Sequence, residues 1–249
     1  LHFYPGLGKQ IRRVRPDLVH VDEEPYNLAT AQALWLARRA RARGLFFSWQ
    51  NIQRRYPLPF RLLERYVLGH ADRGIVGSQE SAGVWRAKGY TGPLAVIPQF
   101  GVDPQVFCPQ PREADPHLKV GYVGRLVEEK GVDLLLAALA GLEGGWRASI
   151  LGRGPEREAL GAEAGRLGIA DSVTFASHVP SVEMPSHYQS LDVVVLPSRT
   201  RANWKEQFGR VLVEAMACGL PVVGSDSGEI PHVVGDAGLI FPEGGVDSL

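Results

Sequence analysis

Short apolar runs alternate with longer stretches of helical spacing along most of the chain. The runs Leu18–Val21, Leu45–Trp49 and Arg73–Val76 are typical of buried strands. Residues 1–15 show no such pattern, so we expect them to be irregular. Since parallel strands need a long crossover between them, this alternation favours an α/β fold with a parallel sheet.

Helical spacing separates these predicted strands. One helix is predicted from Leu28 to Arg43, where Gly44 would end it, and another from Phe60 to Leu68. Ser78 is a suitable cap for a further helix, which would precede the strand Leu94–Ile97.

Five prolines interrupt the pattern between Pro98 and Pro116. Their neighbours are polar or charged, which is typical of a linker between domains. We therefore predict an N-terminal domain over residues 1–108 and a C-terminal domain over residues 109–249.

The alternation resumes after this linker. Strands are predicted over Leu118–Val123, Trp146–Leu151, Val173–Phe175, Asp192–Leu196, Val222–Gly224 and Gly238–Phe241. Ligands of open α/β sheets bind beyond the carboxyl ends of the strands. The loops that begin at Gly124, Gly152, Ser177 and Pro197 meet that condition.

Composition narrows the class of protein. Hydrophobic content of 45% and charged content of 22% are typical of a soluble globular chain. No apolar run approaches the ~18–20 residues that span a bilayer, and the first residues do not resemble a signal peptide. Cys108 and Cys218 lie far apart without metal-ligand spacing, so we expect reduced thiols, a cytoplasmic protein and no metal site.

Charge is divided unevenly between the two predicted domains. Residues 1–108 carry 15 Lys and Arg against 8 Asp and Glu, a net +7, and residues 109–249 carry 12 against 19, a net −7. Eight arginines of the first half could bind an anionic membrane surface at the inner face: Arg38, Arg39, Arg41, Arg43, Arg54, Arg55, Arg61 and Arg65. The alternative is helix faces solvated by arginine.

Nucleic acid is not an expected partner, because no basic groove interleaved with aromatics is apparent.

Two glutamates bracket the start of a predicted helix in the second half. Glu206 precedes it and Glu214 lies in its second turn, roughly 12 Å apart along a helical path. Two carboxylates, with the backbone N–H groups near Gly209 between them, suit a long polyhydroxylated anion. The alternative is a capping carboxylate for Glu206 and a solvated helix face for Glu214.

Cations follow the first strand of the second half. Gly124 permits close backbone approach, Arg125 can bind phosphate oxygens bidentately, and Lys130 adds a point charge. Two solvated surface cations are the alternative. Gly152 and Gly154 are by themselves a weak signal, typical of a tight turn.

These motifs, in this order, resemble the family 4 retaining glycosyltransferases. Glu206 and Glu214 stand in that family's Glu-x(7)-Glu arrangement, and the segment from Glu206 to Val223 is similar to its signature almost throughout. Gly-Arg-x(4)-Lys-Gly, from Gly124 to Gly131, is similar to its diphosphate site. The resemblance is strong over residues 118–243 and weak over residues 18–103.

The resemblance implies a GT-B fold, that is, two Rossmann-like doubly wound parallel-sheet α/β domains facing a cleft. The second domain would hold a nucleotide-diphosphate sugar, and the first would hold an acceptor. The implied activity is transfer of a hexosyl group, with retention, to a hydroxyl of a glycan, lipid-linked or small-molecule acceptor. No metal or other cofactor is implied.

The resemblance also assigns roles to individual residues. Catalytic roles fall on Glu206, Arg125 and Lys130. Donor-binding roles fall on Gly124, Arg125, Lys130, Gly152, Gly154, His178, Val179, Glu206, Phe208, Gly209, Val211, Leu212 and Glu214. Glu24 and Gln50 are the candidates on the acceptor side, and Gly228 and Glu229 are expected near the cleft.

Two departures from the family pattern support an alternative function. Gln50 stands where many members carry a histidine near the reacting sugar. An earlier βαβ segment and a final helix are also expected in members and are not visible, so both domains are predicted to be incomplete. The alternative is a non-catalytic sugar-nucleotide-binding module or an inactive fragment. A dinucleotide oxidoreductase is disfavoured, because the third glycine of its fingerprint is missing.

Overall fold

Two compact units make up the structure, a computed structural model that describes residues 2–98, 100–111 and 115–249. Unit 1 is Leu1–Gln99 and unit 2 is Phe100–Leu249. Each unit contains a parallel sheet with intervening helices, which confirms the predicted α/β class. The predicted linker includes residue 99 and residues 112–114, which lie outside the described residues.

The elements of unit 1 follow the predicted alternation. Its strands are β1 (Leu18–Val21), β2 (Arg43–Ser48), β3 (Arg73–Val76) and β4 (Leu94–Val96). Its helices are α1 (Leu7–Val14), α2 (Leu28–Arg39), α3 (Phe60–His70) and α4 (Gln79–Ala87). The strands pair in parallel in the order β1-β2-β3-β4. Ser78 caps α4, and its side chain accepts from the N–H of Ser81 as predicted.

Two expectations for unit 1 were wrong. Residues 1–15 include helix α1, which the apolar pattern missed because Ile11 is its one buried side chain in the described structure. Helix α2 ends at Arg39 instead of Arg43, because the left-handed backbone of Arg41, with φ 60°, turns the chain into β2.

Unit 2 contains more elements than unit 1 over its described residues. Its strands are β5 (Leu118–Val123), β6 (Trp146–Leu151), β7 (Val173–Ala176), β8 (Val193–Leu196), β9 (Val222–Ser225) and β10 (Gly238–Phe241). Its helices are α5 (Val132–Gly141), α6 (Arg157–Arg166), α7 (Met184–Gln189), α8 (Arg210–Ala217) and α9 (Ile230–Val234).

The strand order of unit 2 reverses at its centre. The parallel sheet runs β10-β9-β8-β5-β6-β7, so the chain builds outward from β5 and then returns to place β8 on the other side of β5. Because the strand order reverses there, the loops after the two central strands lead away from each other, and a crevice lies between these loops. The crevice lies beyond the carboxyl ends of β5 and β8.

A buried core supports these two central strands. Tyr122 on β5, Leu196 on β8 and Leu212 on α8 are almost fully buried in one hydrophobic cluster. Burying a Leu side chain contributes about 1.5–3 kcal/mol. The loops at the crevice therefore rest on a packed layer of strands and helix. Among the described residues, no helix is both long and apolar enough to cross a bilayer.

Candidate functional site

Two loops meet at the crevice of unit 2, residues 124–131 after β5 and residues 197–209 after β8. The backbone N–H of Arg199 donates to the carbonyl oxygen of Glu129 at 2.8 Å. The ion pair Arg201–Glu128 also joins the loops, and Arg199 pairs with Asp133 in the first turn of α5. The loops thus form one connected surface across the point where the strand order reverses.

Glycines let these loops and their neighbours approach closely. A Cβ on Gly131, whose φ is +66°, would lie 2.0 Å from the carbonyl oxygen of Pro197. A Cβ on Gly152 would lie 1.8 Å from the carbonyl oxygen of Gly124, and one on Gly154 would lie 2.0 Å from that of Leu126. Since real Cβ atoms do not approach so closely, these positions accept only glycine without movement of the backbone.

An ion pair spans the crevice between the two loops. Lys130 Nζ lies 2.5 Å from Glu206 Oε2, and the same oxygen accepts a hydrogen bond from Ser198 Oγ at 3.0 Å. The side chains of Lys130 and Glu206 are 14% and 10% exposed. The ring centre of Trp204 lies 5.0 Å from the ammonium group, within cation–π distance. The structure therefore brings together two of the three residues with a predicted catalytic role.

The loop after β9 supports Glu206 from its backbone side. The N–H of Glu229 donates to the carbonyl oxygen of Glu206 at 3.1 Å. A Cβ on Gly228 would lie 2.1 Å from that oxygen. Ser225 Oγ also donates to the carbonyl oxygen of Ser198 at 2.6 Å. Gly228 and Glu229 thus lie beside Glu206.

Arg125, the third residue with a predicted catalytic role, points toward solvent. Its side chain is 66% exposed and lies 3.7 Å from Glu129 Oε1. Its carbonyl oxygen accepts from the hydroxyl of Tyr122 at 2.8 Å. Burial, and secondly the charge of Glu206, raises the pKa of Tyr122, so this hydroxyl remains a donor. The backbone of Arg125 is held, and its guanidinium projects from the rim of the crevice.

Helix α8 begins directly after the β8 loop. Its N-cap is Gly209, with φ +77°, and no side chain caps the helix, so Glu206 is not the capping carboxylate of the alternative interpretation. Leu212 lies in the core, Val211 packs against that core and Phe208 is buried with its ring 6.1 Å from that of Phe100. The side chains of these three predicted donor contacts therefore serve packing.

Glu214 lies in the second turn of α8 and is 7% exposed, which excludes the solvated helix face of the alternative interpretation. One oxygen accepts from the hydroxyl of Tyr188 at 2.7 Å, and the other lies 2.8 Å from Arg210 Nε. Burial, and secondly the charge of Glu214, raises the pKa of Tyr188. Glu214 is thus a fixed, partnered carboxylate in the free protein.

The remaining predicted donor contacts lie on the β6 and β7 side of the crevice. Gly152 and Gly154 belong to the loop after β6, and His178 and Val179 follow β7. Arg153 Nε donates to the carbonyl oxygen of Ser177 at 3.1 Å and joins these loops. His178 is exposed.

The two acceptor-side candidates lie together in unit 1, beyond the carboxyl ends of β1 and β2. Glu24 accepts from Ser48 Oγ at 2.6 Å and from the N–H of Trp49 at 2.9 Å. The N–H of Gln50 donates to Ser48 Oγ at 3.0 Å, and the Gln50 amide oxygen accepts from the hydroxyl of Tyr56 at 3.3 Å. Burial raises the pKa of Glu24. Ser48 therefore links the two candidates.

Family comparison decides what kind of protein carries this geometry. A family model described as Glycosyl transferases group 1 matches residues 108–249, and one described as Glycosyltransferase Family 4 matches residues 1–106. The chain belongs to the glycosyl transferases group 1 family.

Curated relatives of this glycosyltransferase-family chain agree with that assignment. A GDP-mannose-dependent alpha-(1-6)-phosphatidylinositol monomannoside mannosyltransferase of Mycolicibacterium smegmatis is 35% identical over 64% of the chain and 46% of its own length. The enzyme of that name from Mycobacterium tuberculosis is 31% identical over 98% of the chain and 69% of its own length. A D-inositol 3-phosphate glycosyltransferase of Segniliparus rotundus is 34% identical over 72% of the chain and 42% of its own length. The chain thus spans about half the length of two of these relatives.

Solved structures show the fold of the glycosyltransferase-family chain. The Anabaena Alr3699/HepE structure in complex with UDP has a TM-score of 0.80 at 22% identity, covering 98% of the chain and 70% of its own. A glycosyltransferase from Rickettsia africae has a TM-score of 0.77 at 16% identity, covering 97% and 66%. The α/β GT-B fold predicted from the motifs is confirmed.

Several residues that contact the candidate site are not among those that the sequence predicts. Ser198 and Trp204, which contact the ion pair, lie in the loop that the motifs had marked, so their position was the available signal. Tyr188 gave no such signal, because it meets Glu214 from a helix 26 residues earlier in the chain. Within the described residues, no group of three or more His, Cys, Asp or Glu side chains could hold a metal.

Proposed function

We propose that the chain binds a nucleoside diphosphate sugar at the crevice of unit 2 and transfers the sugar, with retention, to an acceptor hydroxyl. The observation that carries this proposal is the Lys130–Glu206 pair between the β5 and β8 loops. A cation and a carboxylate there stand where ligands of open α/β sheets bind. Family membership supports the reaction class.

The proposed chemistry follows from the charge of the leaving group. A nucleoside diphosphate carries developing negative charge as the glycosidic bond breaks, and Lys130 and Arg125 would stabilise that charge electrostatically. Glu206 would accept hydrogen bonds from sugar hydroxyls once Lys130 turns to the diphosphate. No cofactor is proposed, because the donor carries its own activated leaving group.

The comparisons support a donor and an acceptor class. Relatives are named for GDP-mannose, and structural neighbours hold UDP or UDP-glucose, so nucleoside diphosphate is the shared chemistry. The names of the relatives also contain inositol-bearing acceptors. We infer that unit 2 holds the donor and that unit 1, through Glu24 and Gln50, contacts a polyol acceptor. The proposed location is the cytoplasm, with peripheral association at an anionic membrane face.

The proposal is tested with the chain incubated with UDP-glucose or GDP-mannose and with inositol phosphate or phosphatidylinositol. Mass spectrometry would detect the glycosylated product, and NMR would give its anomeric configuration. Lys130→Met should lower the rate on the order of 100- to 1000-fold, and Lys9→Met, an exposed lysine on α1, is the matched control. An unaltered rate in Lys130→Met would contradict the assignment.

A second function, binding of the sugar nucleotide without transfer, is favoured by Gln50. Its amide nitrogen donates to the carbonyl oxygen of Ile52 at 2.9 Å while its amide oxygen accepts from Tyr56, so both ends are engaged internally. Gln also lacks acid–base function at neutral pH. Calorimetric binding of UDP or GDP, with neither product nor released nucleotide from either donor, would establish this second function in place of the first.

A further inference from the structure

The exposed face of α3 combines apolar and cationic side chains. Leu58, just before the helix, and Leu62, in its first turn, are 67% and 59% exposed. Arg61 and Arg65 are exposed and neighbour Leu62 on the helix surface, because spacings of three and four residues bring side chains together on a helix. We call the surface formed by Leu58, Arg61, Leu62 and Arg65 the α3 face.

The single carboxylate of this helix does not offset the charge of the α3 face. Glu64 is buried, and its carboxylate pairs with Lys88. The Lys88 ammonium also lies 4.8 Å from the ring centres of Tyr56 and Trp85. Because Glu64 is neutralised inside the unit, the charges that α3 presents to solvent in this region are those of its arginines.

A surface cavity adjoins the α3 face. It has a volume of ≈ 500 Å³, and its lining includes Arg61 and Arg65 together with the buried Glu64–Lys88 pair. Cavities of this size hold small molecules or headgroups. With Glu64 matched by Lys88, the two arginines give the cavity a net positive charge, which suits a phosphate-bearing group.

We propose that the α3 face binds an anionic lipid surface, with Leu58 and Leu62 entering the headgroup–acyl boundary while Arg61 and Arg65 contact lipid phosphates. Binding at a membrane interface uses apolar side chains beside cations. The free energy of burying the apolar side chains and the attraction of the cations to anionic lipid add to each other. The proposal deepens the membrane association given under the proposed function, and it separates this face from the other arginines of unit 1. The donor site of unit 2 takes no part in it.

The experiment is sedimentation of the full chain with phosphatidylcholine vesicles, with or without phosphatidylglycerol. The unaltered chain should partition onto the anionic vesicles only, and binding should weaken as salt is raised. Leu58→Ser with Leu62→Ser, and separately Arg61→Gln with Arg65→Gln, should each lower the partition coefficient about tenfold or more. These side chains are exposed, so the variants should keep the fold.

The matched control is Arg12→Gln with Arg13→Gln, which removes the same charge from the exposed face of α1. It should change partition less than about twofold. Equal losses in the α1 and α3 arginine variants would overturn the assignment to this face, and so would equal recovery on neutral vesicles. UDP or GDP binding, measured by calorimetry, should be the same in all variants. A chain that binds nucleotide but no vesicle would overturn this inference and the proposed membrane association, and it would leave the proposed sugar transfer standing.

Discussion

Lys130 and Glu206 neutralise each other in the free protein, and this has a consequence for ligand binding. Their side chains are largely buried and 2.5 Å apart, so a diphosphate that approaches Lys130 competes with the Glu206 carboxylate. Ser198 remains as a second partner for that carboxylate. The ion pair thus positions both groups at the crevice while it weakens the cation as a phosphate ligand.

Whether the ion pair with Glu206 weakens nucleotide binding at Lys130 can be measured. Glu206→Gln should bind UDP or GDP about tenfold more tightly, or ~1.4 kcal/mol, because the Lys130 ammonium loses its neutralising partner. This variant should also lose sugar transfer. Its stability in the absence of nucleotide should be lower, because the buried Lys130 cation no longer has a charged carboxylate partner. Lys130→Met should weaken nucleotide binding instead.

Isothermal calorimetry with UDP or GDP gives the dissociation constants of the Glu206→Gln and Lys130→Met variants. Glu158→Gln, an exposed glutamate on α6, is the matched control and should leave them unchanged. If Glu206→Gln and Lys130→Met weaken nucleotide binding in parallel, the Glu206 carboxylate does not compete with the diphosphate for Lys130.

The loops of unit 2 depend on glycines that serve two different purposes. Gly131 ends the turn before α5 with a left-handed backbone and lies against the Pro197 carbonyl oxygen, so it joins the β5 and β8 loops. Gly165 lies inside α6 with open space around it. One glycine is required by close packing, and the other only lowers the helical propensity of its segment.

Alanine at these two positions should have opposite effects on stability. Gly131→Ala should lower the free energy of unfolding by about 2–3 kcal/mol, because a Cβ there meets a carbonyl oxygen and the backbone is strained. Gly165→Ala should raise it by about 0.5–1 kcal/mol, because alanine restricts the unfolded chain. Denaturant unfolding of both variants measures the difference. A Gly131→Ala chain as stable as the unaltered one would show that the two loops are not held together at this point.

Buried and partly buried tyrosines give the whole molecule a pH dependence on the alkaline side. Burial raises the pKa of Tyr26, Tyr56 and Tyr90 in unit 1 and of Tyr122 and Tyr188 in unit 2. An unfolded chain would lose these protons near the ordinary tyrosine value of 10.0, while the folded chain keeps them. Stability linked to these groups is therefore complete below pH 10 and is lost as the pH rises above it.

Denaturant unfolding between pH 8 and 11 should show this loss, at up to about 1.4 kcal/mol per pH unit for each tyrosine. Tyr188→Phe should flatten the decline and should lower stability at pH 7 by about 1–3 kcal/mol, because Glu214 loses its donor. Tyr4→Phe, at an exposed tyrosine, is the matched control. An identical alkaline slope in Tyr188→Phe and in the unaltered chain would contradict the linkage.

The sequence by itself determined most elements of both units, and the family resemblance indicated which residues are candidates for the site. Apolar periodicity is a local signal, so it located strands such as Leu118–Val123 and Trp146–Leu151 to the residue. The family motifs indicate Lys130 and Glu206 as candidates without any knowledge of the geometry. The same local signal failed at α1, where Ile11 is the buried side chain of the helix, and it did not indicate the short α7.

Only the tertiary structure decided which of these parts meet. Lys130 and Glu206 are 76 residues apart, and they pair because β8 returns to the side of β5. Tyr188 reaches Glu214, and Lys88 neutralises Glu64, through packing between elements that no local pattern encodes. Periodicity determines which face of an element is buried, whereas the partner on that face depends on strand order and on close approaches such as that of Gly131 to Pro197.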